Sequence, residues 1–116
     1  MNALDVEKMI ESEVEFTINV LPEYEGPEGH FDTGNDSKDS EICRKIHEDH
    51  DNGNNWAWCT VEVVATWRGV SRSDVLGACS YANEKEFREG GYFEDMKDQA
   101  LTALYAAVVK LQLSEN

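Results

Sequence analysis

Residues 56–67, WAWCTVEVVATW, carry an apolar side chain at every second position: Ala57, Cys59, Val61, Val63, Ala65 and Trp67. Successive side chains of a β-strand leave opposite faces, so this alternation predicts a strand with one wholly apolar face that must be covered. Its other face, Trp56, Trp58, Thr60, Glu62, Val64 and Thr66, is mixed. A second alternating run sets Val14, Phe16, Ile18 and Val20 between Glu13, Glu15, Thr17 and Asn19. It predicts a half-buried strand that ends at Pro22, which has no N–H to give a ladder. After a turn over 68–73, residues 74–82 (DVLGACSYA) predict a returning strand.

The remaining elements read as helices. Asn2 is a predicted N-cap for a helix to about residue 11, with Ala3, Val6, Met9 and Ile10 on one side. Ser37 is the predicted cap of a helix over 38–50, on which Ile42, Cys43, Ile46 and His50 share a face and which Asn52-Gly53 terminates. Residues 84–89 predict a short turn of helix broken by Gly90-Gly91. The last helix is predicted over 93–113, with Phe93, Met96, Ala100, Leu104, Ala107, Val108 and Leu111 at helical spacing. The predicted fold class is therefore α+β: a two-layer sandwich in which a three-stranded antiparallel sheet carries two or three helices on one face. The 116 residues suit a single domain, 1–116. Residues 22–37 (PEYEGPEGHFDTGNDS) lack periodicity and predict an acidic, Gly/Pro-rich surface loop.

Charge narrows the function. The chain holds 24 Asp and Glu against 10 Lys and Arg, a net charge of −14. Residues 1–55 account for 15 acidic and 4 basic side chains, so the excess gathers in the first half. Such a surface repels phosphate backbones, which predicts no direct binding of nucleic acid or anionic lipid. No apolar run approaches the roughly 20 residues of a membrane span, and residues 1–11 lack the basic start and apolar stretch of a secretory signal. Three cysteines, an odd number, argue against a disulfide framework and predict a reducing compartment, the cytoplasm.

Several constellations are candidates for chemistry. Cys43, His47 and His50 stand at i, i+4 and i+7, roughly on one side of a helix, and thiolate and imidazole are zinc ligands; Cys59 or Cys79 would complete a tetrahedron. The competing reading makes Cys43 a small core hydrophobe beside Ile42 and Ile46. Asp32, Asp36 and Asp39, like Asp49 and Asp51, evoke a calcium loop, but counting from Asp32 puts Gly34 at position 3 and Cys43 at position 12, and counting from Asp49 puts Thr60 at position 12. An EF-hand needs an oxygen ligand at the third position and glutamate at the twelfth. No nucleophile elbow, phosphate loop or HExxH motif is present, so neither an enzyme nor a cofactor is expected. Trp56 and Trp58, two apart in the predicted strand, would leave the sheet together on its uncovered face. There they would form an interaction surface, or else lie beneath the long loop or the first helix. Arg68 and Arg72 make the turn the one locally basic spot.

The run from Asn55 through Trp67, the LGACSY segment at 76–81 and the GGYFEDMKDQA segment at 90–100 resemble small acidic proteins encoded by phages and prophages, mostly without an assigned role. The resemblance covers the second half of the chain. The order strand, strand, helix also resembles double-stranded-RNA-binding folds; those place basic residues where the last helix begins, and this chain has Glu94, Asp95 and Asp98 there beside a lone Lys97. The departure removes the warrant for RNA binding.

These readings converge on a non-enzymatic interaction protein, phage-encoded as the resemblance implies. Its Asp32, Asp36, Asp39, Trp56 and Trp58 would engage a basic nucleic-acid-binding protein of the host by charge mimicry. The alternatives are a small metal protein using Cys43, His47 and His50, or a structural, oligomeric phage protein. A weak homodimer through the two tryptophans is a further expectation, opposed by the charge of −14.

Overall fold

The computed structural model describes residues 2–115, with side chains placed through residue 111. Its elements run α1 (Ala3–Glu13), β1 (Glu15–Leu21), α2 (Asp36–Asp51), a 3-10 turn (Asn55–Ala57), β2 (Cys59–Trp67), β3 (Val70–Cys79), α3 (Glu84–Glu89) and α4 (Tyr92–Glu115). The strands form an open antiparallel sheet in the order β1-β2-β3, and the fold is α+β as expected.

Contacts gather into two compact units, and every strand lends residues to both. The first comprises residues 1–19, 62–75 and 92–116; the second comprises 20–61 and 76–91. In the first, α1 packs on α4, and Val6, Ile10, Ala65, Ala100, Leu104 and Val108 form the core, with Phe16, Trp67 and Tyr105 at its margin. The Asn2 side chain caps α1 by accepting the Asp5 N–H at 2.9 Å. Glu13 takes two guanidinium bonds from Arg68 and the Trp67 indole N–H, all between 2.8 and 2.9 Å; Arg68 first, then Trp67, holds its carboxyl below the usual carboxylate range. Arg68 also lies over the Trp67 ring, 4.7 Å from its centroid. Of the predicted apolar stripe of α4, Phe93, Met96, Ala100, Leu104 and Val108 are buried, whereas Leu111 is 52% exposed.

In the second unit Ile46, Ala57, Trp58, Cys59, Val61, Cys79 and Phe87 are buried. Trp56, Tyr81 and Phe87 form an aromatic triangle with ring centroids 5.3–6.3 Å apart, within the range of favourable edge and tilted contacts. The Tyr81 N–H donates to the Trp56 carbonyl at 2.7 Å and fixes the backbone beneath it.

β3 ends at Cys79 rather than at the predicted residue 82, and three further boundaries differ from the sequence reading, each for a local reason. Asn35, not Ser37, caps α2: its side chain accepts the Lys38 N–H at 3.2 Å, so the helix starts two residues earlier. The predicted strand over 56–67 starts only at Cys59, because the Asn54 side chain accepts the Trp56 N–H and winds 55–57 into a 3-10 turn. The turn expected over 68–73 shrinks to Arg68-Gly69, with φ of 46° and 81°. Two consecutive left-handed residues make the primed hairpin turn whose twist suits antiparallel strands. Ser71, Arg72 and Ser73 therefore belong to β3.

Because Leu104 is completely buried in the first core, Leu104→Ala is expected to cost about 2–5 kcal/mol in stability, whereas Leu111→Ala changes it little. Chemical denaturation of the two variants beside the parent chain checks the contrast.

Candidate interaction surface

The acidic loop from Pro22 to Asn35, followed by α2, is the most heavily charged surface of the second unit. The loop has no hydrophobic period to order it; short polar links do so instead. The Glu23 carboxylate accepts the Thr60 hydroxyl at 2.9 Å, the Ala78 N–H at 2.8 Å and the Glu25 N–H at 3.1 Å. The Ala78 and Glu25 amides, then Thr60, hold its carboxyl below the usual range. Ala78 sits at φ 54°, a left-handed conformation rare for a residue with a Cβ, and it aims its N–H at this carboxylate. At Gly77 beside it, a Cβ would lie 2.9 Å from Glu23 Oε2, so a larger residue would displace this carboxylate.

Further along, the Glu25 carbonyl accepts the Trp58 indole N–H at 2.6 Å, and the rings of His30 and Phe31 pack on Trp58 at 5.4 and 6.3 Å. Pro27 is buried, and Glu28 meets His47 Nε2 of α2 at 2.6 Å. Thr33 donates its N–H and its hydroxyl to Asp39 at 3.0 and 2.8 Å, and the Gly34 N–H donates to Asp32 at 3.2 Å. The loop is thus fastened to β2, β3 and α2 of its own unit, and Trp58 is 7% exposed beneath it.

This placement corrects the expected tryptophan pair. Trp56 lies in the 3-10 turn against Tyr81 and Phe87, and Trp58 lies under the loop, so the two indoles do not share an open face. The apolar patch expected to join two copies is therefore filled from within the chain. Asp32, Asp36 and Asp39 do not converge either: Asp32 and Asp39 accept loop hydrogen bonds, and Asp36 opens α2, where a carboxylate suits the helix dipole.

The proposed metal ligands part in a similar way. Cys43 and His47 line one cleft of about 400 Å³ with Glu28 and Asp39, whereas His50 lines a separate one with Leu21, Pro22 and Trp58. Among the described residues no group of three His, Cys, Asp or Glu side chains is close enough to hold a metal ion. The thiols are poor nucleophiles as well. Burial raises Cys59 to about 12, with Cys79 and Glu23 adding to it, and burial raises Cys79 too. Desolvation, then Glu28 and Asp39, push Cys43 up. All three stay protonated at neutral pH.

A feature the sequence reading missed is how α2 spends its cations. Arg44 bridges Glu41 and Glu48, the latter at 2.7 Å, and Lys45 pairs with Asp49 at 2.7 Å. The i, i+3 and i, i+4 spacing of these charges is legible in SEICRKIHED. Alongside these pairs runs a groove of about 630 Å³ floored by Phe31, Ile42 and Ile46 and edged by Lys38 and Glu41. No polar or charged side chain is buried among the described residues, so the surplus carboxylates all reach water. The described helices include none long and apolar enough to cross a membrane.

No family model, curated protein or solved structure matches the chain.

Carboxylates held by hydrogen bonds and ion pairs, in the loop and outside it, make stability depend on acid. Glu13, Glu23, Glu28 and Glu41 all have carboxyls held below their unfolded values, so their contribution is complete above the unfolded carboxylate pKa and is lost as pH falls through the folded one. The thermal midpoint should fall steadily as pH drops from about 6 to about 3. Glu23→Ala should blunt that slope and raise acrylamide quenching of tryptophan fluorescence, as Trp58 is uncovered. Ala78→Gly relieves the left-handed strain and should raise stability by about 1 kcal/mol in thermal melts.

Proposed function

We propose that the protein works by binding rather than catalysis, and that its acidic face occupies the nucleic-acid cleft of a basic host protein. The observation that carries this reading is the disposition of charge on α2 and the loop before it. The helix neutralises its own Arg44 and Lys45 with Glu41, Glu48 and Asp49, while Asp32, Asp36 and Asp51 keep their charge toward solvent without an ion-pair partner among the described residues. A second unit with 13 acidic and 5 basic side chains therefore offers a partner a fixed array of carboxylates on an ordered backbone. Phosphates of a nucleic acid present the same sign of charge to a basic cleft, and electrostatic complementarity of this kind acts mainly on encounter rate and specificity. A phage origin, implied by the resemblance of the second half of the chain, supplies a reason for such an inhibitor. The protonated thiols support the absence of a cysteine nucleophile.

The test immobilises the full chain and presents nuclease-treated bacterial lysate at low and high salt. The expected result is a basic nucleic-acid-binding protein retained at low salt, released at high salt and displaced by added DNA. Asp36→Asn with Asp51→Asn should weaken its retention. Recovery of no basic protein at low salt overturns the mimicry.

A further inference from the structure

The sheet is open, and β3 forms one of its edges. Residues 70–75 of that edge lie in the first unit; Ser71, Arg72, Ser73 and Val75 are exposed, with Val75 at 54%. The two-residue turn Arg68-Gly69 makes Trp67 and Val70 the first hydrogen-bonded pair of the hairpin, so the ladder to β2 engages Val70, Arg72 and Asp74 alternately. The backbone N–H and C=O groups of Ser71, Ser73 and Val75 then point away from β2. Two contacts agree with this register. The Thr66 and Ser71 hydroxyls meet at 2.8 Å, as the close side chains of a non-hydrogen-bonded pair should. The Ser71 carbonyl accepts the guanidinium of its own neighbour Arg72 at 2.7 Å, a side chain bent back to an oxygen that β2 does not serve.

The sequence along this edge, Ser71-Arg72-Ser73-Asp74-Val75, is complementary to itself when reversed. We propose that the β3 edge is the surface through which two copies of this chain associate, pairing antiparallel with Ser73 on the twofold axis. In that register Ser73 faces Ser73 of the second copy as a hydrogen-bonded pair, and Ser71 faces Val75 likewise. Arg72 then falls opposite Asp74 twice, each time in the non-hydrogen-bonded position where cross-strand side chains are closest. Arg72 and Asp74 have no ion-pair partner among the described residues; on pairing, the Arg72 guanidinium leaves the Ser71 carbonyl to the second copy's ladder and turns to the facing Asp74.

The local charge at this edge also spares a second copy the repulsion of the acidic loop. Residues 62–75 hold Glu62 and Asp74 against Arg68 and Arg72 and are neutral within a chain of net −14. The other sheet edge, β1, carries Glu15 and no cation, so its reversal brings no opposite charges together. An isologous contact needs one patch that complements itself, and among the two edges β3 meets that condition. A ladder this short makes a weak dimer, and salt should strengthen it by screening the overall charge.

Sedimentation equilibrium of the full chain over a wide concentration range, at low and high salt, reads the association. The mass average of the parent chain is expected to rise toward that of a dimer with concentration, and further with salt. Arg72→Asp and Asp74→Arg should each weaken association by about tenfold or more, because like charges then face across the ladder. An equimolar mixture of the two variants should recover it, since the paired acidic side chains of the first variant then face the paired arginines of the second. Ser73→Pro should leave the melting curve close to the parent's, as its N–H points outward, yet abolish the dimer. A parent chain that stays monomeric throughout, which would leave the edge to a different partner strand or to none, overturns the proposal. So does a dimer indifferent to both charge variants, or a mixture that fails to recover association.

Discussion

The central strand is the constraint on which the rest depends. β2 alone has a neighbour on both sides, and Cys59, Val61, Val63 and Ala65 along one of its faces are 0–1% exposed. Four such side chains in a row must be covered by something, and burying each contributes on the order of 1–3 kcal/mol. In the first unit Ala65 is small enough to admit the α1 and α4 side chains Val6, Ile10, Leu104 and Val108 to one cluster. In the second, Trp58, one residue before the strand, supplies the bulk that the 22–35 loop closes upon.

An acidic chain has a particular difficulty in folding a loop of this kind. Carboxylates close together repel, and few cations are at hand to separate them. The loop solves this by giving carboxylates neutral donors: Glu23 takes a hydroxyl and two amides, Asp39 a hydroxyl and an amide, Asp32 an amide. Charge-assisted bonds of this type are stronger than neutral ones, and they leave the carboxylate charge in place. Five of the ten cations are used within single helices, Arg44 and Lys45 in α2, Lys85 and Arg88 in α3 and Lys97 in α4, and Arg68 pairs with Glu13 away from the loop. Order in the loop and negative charge on its surface therefore do not compete.

How much of this was legible depended on the range of the interaction. The strands and helices with clear periods, β1, β2 and α4, and the six-residue α3 between Asn83 and Gly90 were readable because each is set by neighbours in sequence. Two of the misplaced boundaries lay where an asparagine side chain competed with the backbone: Asn35 drew the start of α2 forward, and Asn54 turned 55–57 away from a strand that the alternation of Trp56, Ala57 and Trp58 favoured. The candidate site was harder. Its charges were plain in the composition, but the fastening of Glu23 to Thr60 and Ala78 spans 37 and 55 residues. Nothing in the local pattern around Glu23 distinguishes it from Glu25 or Glu28. The burial of Trp58 likewise follows from a carbonyl 33 residues away.

The hairpin illustrates a subtler limit. Residues 68–73, RGVSRS, look like a turn by composition because serine, arginine and glycine are common in loops. Arg68 enters the left-handed region, though it has a Cβ, since its guanidinium is held there by Glu13 and stacked on Trp67. With Gly69 it completes a two-residue turn, and the polar residues beyond become strand. A polar strand at the rim of a sheet is physically consistent: its exposed face meets water, and charged or hydroxyl side chains discourage indiscriminate pairing. What such an edge retains is selectivity. An apolar edge accepts many strands, whereas one that alternates serine with Arg72 and Asp74 tolerates few registers, because a slip of one residue moves each charge to the opposite face. Polarity at β3 thus narrows the set of strands that can pair there.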